Sequence, residues 1–116
     1  MIYKFRAWNR SDLLAGHKLK FVQRTIDEEL YFCLENDEEF RYSFSSVFED
    51  DNWIVEQFTG VHDCNETEIY LGDIVRHDVM GIQEVVFSCG RFQLKIGTHF
   101  NEYARYEVMG NKYEYI

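Results

Sequence analysis

Between Asp73 and Gly97 the chain falls into three strand-length segments, Asp73–Val79, Ile82–Ser88 and Arg91–Gly97, divided by Met80-Gly81 and Cys89-Gly90. Glycine reaches the positive φ that a tight hairpin turn demands, so each break predicts antiparallel strands joined directly. In the last segment Phe92, Leu94 and Ile96 alternate with Gln93 and Lys95, the period of a half-buried strand. A chain punctuated in this way has few folds open to it. It predicts a small, strongly bent sheet or a partly closed barrel, in which few strand edges stay exposed.

The same period runs through the first half. Ile2 to Trp8 alternates, with Lys4 and Arg6 on one side; Asn9 to Gly16 reads as a turn or short helical loop; Leu19–Gln23 resumes the strand pattern. Leu30–Leu34 and Phe40–Phe44 flank Glu35-Asn36-Asp37-Glu38-Glu39, predicting a hairpin with an acidic loop. Ser46 and Glu49 have capping-box spacing, so Ser45 to Asn52 can make one helical turn before a strand at Trp53–Phe58. Glu107-Val108-Met109 and Tyr113-Glu114-Tyr115 are expected to close the sheet, with Gly110-Asn111 between them. Proline is absent and the glycines number 7, so no flexible or Pro-rich linker divides the chain. The expectation is a mainly β, single small domain: a curved N-terminal sheet over residues 1–55 and an SH3-like, partly closed barrel over 56–116.

Charge is unevenly spread. The net charge of −9 resolves into +5 over residues 1–26, −9 over 27–51 and −5 over 52–116. An acidic protein is repelled by nucleic acid and anionic membranes at long range, unless a basic patch faces the other way. The opening block is either that patch or a set of strand charges that pair with the acidic block. No apolar run is long enough to span a membrane, and the opening residues lack the apolar segment of a secretory signal. Cys33, Cys64 and Cys89 lie far apart and are odd in number, which predicts no disulfide framework and a reducing cytoplasm.

Several chemistries were weighed on the residues. His62-Asp63-Cys64 and His77-Asp78 could nominally bind zinc, but the paired short spacings of structural zinc sites are missing. Nothing local activates a thiolate, and the glycines stand singly rather than in a phosphate-binding loop. No catalytic, cofactor-binding or metal residues are therefore assigned, no cofactor is expected, and a non-enzymatic protein is the expectation.

Three blocks carry a resemblance. They are Lys4-Phe5-Arg6-Ala7-Trp8-Asn9, then Gln57-Phe58-Thr59-Gly60-Val61 with Glu68-Ile69-Tyr70-Leu71-Gly72-Asp73-Ile74-Val75, and finally Glu107-Val108-Met109-Gly110-Asn111. Together they resemble the YopX-like proteins of bacterial phages and prophages, most densely from Trp53 to Val75. The resemblance implies a phage or prophage setting and the host bacterial cytoplasm, but carries no catalytic or binding residues. In Asp63-Cys64-Asn65-Glu66-Thr67-Glu68 this chain has Glu66 where relatives usually have glycine, so either the turn differs or Glu66 is strained.

The acidic block is the feature most open to function. Glu38, Glu39, Glu49, Asp50 and Asp51 form the candidate interaction surface, to be weighed against a merely solubilising one. Tyr103, Tyr106, Tyr113 and Tyr115 crowd the C-terminal end and suit either edge packing or a subunit interface. The leading expectation is a module that binds a host or phage protein. The alternatives are a nucleic-acid-binding small barrel, through the basic opening block, and a homo-oligomeric assembly component.

Overall fold

The structure, a computed structural model, describes residues 3–95 and 105–114, with the backbone alone for Asp37 and Glu38. It is mainly β, and every strand pair is antiparallel. Contacts divide the chain into two units, one spanning Tyr3–Gln57 and one built from Phe58 onward.

The first unit holds β1 (Phe5–Asn9), α1 (Arg10–Leu14), β2 (Lys20–Ile26), β3 (Glu29–Leu34), β4 (Asp37–Ser43) and α2 (Phe44–Phe48). It ends in the first half of β5 (Trp53–His62), and its strands lie in the order β4-β3-β2-β1-β5. Asn9 ends β1 and starts α1: its Oδ1 accepts from the Asp12 amide at 3.1 Å, meeting one of the unpaired donors of a helix start. Ser43 does the same for α2, accepting from Ser46 N at 3.3 Å. The expected capping by Ser46 is therefore displaced by three residues, and Glu49 follows the helix as its C-cap.

The acidic hairpin loop is also shorter than expected. Only Glu35-Asn36 turns, with Asn36 at φ 66, and Asp37–Glu39 belong to β4. The extra length is taken up by a bulge: Cys33 pairs with Arg41 but Leu34 with Asp37, one step along β3 against four along β4. Between β2 and β3, Asp27 and Glu28 turn the chain at φ 51 and 69, a two-residue turn made without glycine.

One sheet face and α2 enclose Ala7, Phe21, Phe32, Val47 and Trp53, with Phe5, Leu34, Phe44 and Val55 packed against them. The rings interlock: Phe32 stacks on Phe44 at 5.1 Å and Phe21 meets Trp53 edge-on at 4.9 Å. Such pairs contribute roughly 0.5–1.5 kcal/mol each beyond area burial. Arg6, Trp8 and Glu56 alternate with this core along their strands. They too are buried, and the Glu56 Oε1 accepts from Arg6 Nε at 2.9 Å and Trp8 Nε1 at 2.8 Å.

In the second unit β5 continues and pairs with β6 (Glu68–Tyr70), followed by β7 (Asp73–His77), β8 (Gly81–Ser88), β9 (Arg91–Leu94) and β10 (Tyr106–Asn111). The last four form a sheet in the order β10-β7-β8-β9. Among the described residues no ladder joins β9 to β10, so closure of the barrel is partial at most. Its core is Ile69, Val75, Val85, Leu94 and Tyr106.

The Cys89-Gly90 turn forms as predicted, at φ 54 and 78. The preceding one is shifted. β7 stops at His77 because the imidazole Nδ1 accepts from both Val79 and Met80 N at 3.0 Å, bending Asp78–Met80 away. Gly110-Asn111 lie inside β10 rather than between strands, and Tyr113 and Glu114 are turn residues. Tyr106 is core, not surface, while Ile96, Gly97, Tyr103 and Tyr115 lie outside the described residues.

Two outcomes follow. Glu56→Ala removes the carboxylate from a buried arginine and should lower stability by about 3–5 kcal/mol, read as a drop in the urea midpoint. Glu66 sits at φ 64 on an exposed turn, so Glu66→Gly relieves a left-handed backbone and should raise stability by up to about 1 kcal/mol. An unchanged or lower midpoint for Glu66→Gly would show that the turn carries no strain.

Candidate functional site

The structure places the sequence-derived acidic residues on two segments. Glu39 lies on β4, and Glu49, Asp50 and Asp51 link α2 to β5. The sheet curls between them, so that Tyr42 of β4 meets Trp53 of β5 with ring centroids 5.0 Å apart. The Glu38 side chain lies outside the described residues.

Residues 49–52 form a fixed corner. The Asp50 Oδ1 accepts from Asn52 N at 2.9 Å, and Asn52 O accepts from Arg10 N at 2.7 Å. Asn52 Nδ2 donates to Asn9 Oδ1 at 3.2 Å, Ser11 Oγ to Asn52 Oδ1 at 3.0 Å, and Arg10 Nε to Asp51 O at 2.9 Å. These bonds lash the segment to the start of α1. Among the described residues the carboxylates of Glu49 and Asp51 have no ion-pair partner. Phe48, one residue before Glu49, packs edge-on to Phe5 at 5.8 Å yet is 54% exposed, and Leu14 at the end of α1 is 90% exposed. Sequence reading singled out the acids but missed Phe48, Leu14 and Asn52. The signal was there in an apolar residue placed directly before three acids.

Part of the basic opening block is engaged within the chain. Arg6 is bound to Glu56, Arg10 to the Asp51 carbonyl, and Lys20 to Glu35 at 3.3 Å.

A second candidate lies wholly in the unit from Phe58 onward. Asp63 positions it. Its Oδ1 accepts from Asn65 N and Thr67 N, both at 2.8 Å, and its Oδ2 from Val108 N at 3.0 Å. Burial pushes this carboxyl up, but the bonds from Val108, Thr67 and Asn65 outweigh burial and hold it below the usual carboxylate range. The turn is thus pinned to β10, and Cys64 N donates to Tyr106 O at 2.9 Å. Cys64 then lines a cleft of about 390 Å³ with Arg76, His77, Asp78, Arg105, Tyr106 and Glu107. His77 and Tyr106 rings contact at 5.2 Å. Arg76 Nη2 binds the Glu107 carboxylate, which holds the guanidinium more firmly charged.

Of the residues weighed for metal binding, Cys64, His77 and Asp78 meet at this cleft, whereas the Asp63 oxygens are filled by backbone donors. Among the described residues no group of three or more His, Cys, Asp or Glu is placed to hold a metal ion. No helix among them is long and apolar enough to cross a membrane.

An antiparallel two-unit β protein whose motif residues are engaged in backbone contacts defines a structural class before it defines an activity. The chain belongs to the YopX protein family, whose family model matches residues 4–116. Among solved structures it is similar to protein EF1440 from Enterococcus faecalis, at 21% identity and a TM-score of 0.59, over 98% of this chain and 95% of that one. That likeness is one of fold. No curated protein matches the chain.

The Asp63 contacts give stability a pH dependence. With its folded pKa below the ordinary value of 3.8, Asp63 contributes stability that is fully present above that value and lost as pH falls through the folded pKa. The stability gap between the native chain and Asp63→Ala should therefore be constant above about pH 5 and shrink below about pH 4, measured by urea midpoints across pH. A gap that persists to pH 2 would remove the carboxylate from this role.

Proposed function

We propose that this YopX-family chain is a non-enzymatic accessory protein of a phage or prophage that binds a basic segment of another protein. The observation that carries this reading is the hydrogen-bonded corner at residues 49–52. It fixes the backbone from which the Glu49 and Asp51 side chains project, directly after the half-exposed Phe48. A pre-ordered corner loses little conformational entropy on binding, and an apolar anchor rimmed by charge is a common interface pattern. Most rim charges act on association rate and partner choice, so a basic partner is the complement.

Nucleic acid is the less favoured partner. Arg6 and Lys20 are paired with carboxylates within the chain, which reduces the opening block's charge available to phosphates. Self-association by strand pairing is also disfavoured, because β4 and β10 are interrupted by bulges and β6 and β9 are only 3 and 4 residues long.

The test is affinity capture from nuclease-treated bacterial lysate, comparing the native chain with the double variant Glu49→Lys, Asp51→Lys. A basic protein retained by the native chain should be reduced at least about tenfold by the charge reversal, with the urea midpoint nearly unchanged. Phe48→Ala should weaken the same capture. Identical retention by native and reversed chains, or retention of nucleic acid alone when nuclease is omitted, would defeat the reading.

A further inference from the structure

The cleft beside Cys64 has a donor set that the acidic corner does not explain. His77 Nδ1 is occupied as an acceptor by the Val79 and Met80 amides. An imidazole nitrogen that accepts two N–H bonds carries no proton, so the proton resides on Nε2, and that nitrogen is left as a donor. The ring is held by the turn on one side and by Tyr106 on the other. Its donor is therefore fixed in orientation. Asp78 Oδ1 lies 3.3 Å from the same Nδ1, which is already taken by the two amides.

Two guanidinium groups line the same cleft. Arg76 gives one nitrogen to Glu107 and keeps further N–H donors. Arg105 is exposed, and among the described residues it has no carboxylate partner. The Glu107 charge is already answered by Arg76, so Arg105 is a cation without an ion-pair partner among the described residues, in a lining that it shares with the Asp78 carboxylate. In a chain of net charge −9 that is an uncommon placement. The Cys64 thiol adds a weak donor at the rim.

We infer that this cleft is a binding site for a small oxyanion group, a phosphate or carboxylate carried on a compact ligand, with Arg105, the remaining donors of Arg76 and the His77 Nε2–H as its contacts. The planar fork of arginine matches both groups, and charge-assisted bonds of this kind are the strong ones. A volume of about 390 Å³ lies within the range of small-molecule sites and leaves room for the body of the ligand. This inference is independent of the protein-binding corner, which lies in the other unit.

The experiment is a ¹H–¹⁵N NMR titration of the full chain with inorganic phosphate, and separately with acetate, at constant ionic strength set with chloride. The expected result is saturable shifts at the His77 ring and the Cys64 and Tyr106 amides. Arg105→Gln should weaken that binding by roughly tenfold, with Arg105→Lys recovering part of it and distant resonances unmoved. Saturation with phosphate only, or with acetate only, assigns the class of oxyanion. Linear, unsaturating shifts with both probes, or an affinity unchanged in Arg105→Gln, would overturn the site. Neither result bears on lysate capture by the acidic corner, so the two readings fail separately.

Discussion

The constraint on which this structure depends is the supply of hydrogen-bond partners where its short strands break. Among the described residues the chain breaks into ten strands, most of them short, which leaves many backbone groups beyond the reach of a ladder. A buried unpaired group costs about as much as a lost hydrogen bond. The chain meets this with carboxylates. Asp63 takes three amides, one of them from β10, 45 residues away. Asp73 takes the Tyr70 amide at 2.8 Å and the Asn111 side chain at 3.4 Å, while Gly72 accepts from Lys112 N and donates to Val85 O. In the first unit, Glu56 serves the Arg6 and Trp8 side chains from the next strand.

These bonds account for the residues that mark the family. Thr59-Gly60 form a bulge in β5, with Gly60 at φ 86 and Thr59 Oγ1 donating to Ile69 O at 2.7 Å. No atom lies within 4 Å of where a Gly60 Cβ would stand, so the backbone angle and not space calls for glycine. Leu71-Gly72-Asp73 make the turn into β7, Val108 and Asn111 receive the far ends of the two aspartates, and Asn9 caps α1. The motif is a folding specification. Of its polar residues, Asn9, Thr59, Asp73 and Asn111 are engaged by the scaffold, while Glu107 reaches the cleft beside Cys64.

This explains what could be read in advance. Strand existence was legible because alternation and glycine turns act locally, as at Cys89-Gly90 and Phe92–Leu94. Boundaries failed where a side chain or a strained backbone intervened. The His77 ring captured two amides and ended β7 early, and Asp27-Glu28 turned at positive φ with no glycine to announce it. The candidate sites were legible only in part. Charge drew attention to Glu49–Asp51, but Asn52 as the knot and Phe48 as the anchor depend on contacts 41 and 43 residues away in sequence or more. The cleft was further out of reach, since Cys64 and Arg105 are brought together only by the pairing of the Asp63 turn with β10.

Edge protection then limits how such a chain can recognise anything. Strand addition needs a regular run of outward N–H and C=O groups, and the β4 bulge leaves only Arg41–Ser43 in uninterrupted register with β3. Strand addition at β4 is thereby disfavoured, which leaves corners, faces and clefts whose side chains are fixed from behind. The corner at residues 49–52 and the cleft beside Cys64 both meet that condition, one through Asn52 and the other through Asp63. At the corner the half-buried Asn52 amide bonds to the Asn9 and Ser11 side chains, and at the cleft the buried Asp63 carboxylate bonds to main-chain N–H groups. Among the described residues no buried side-chain polar atom lacks a hydrogen-bond partner, so the interior polar groups are committed to holding the fold.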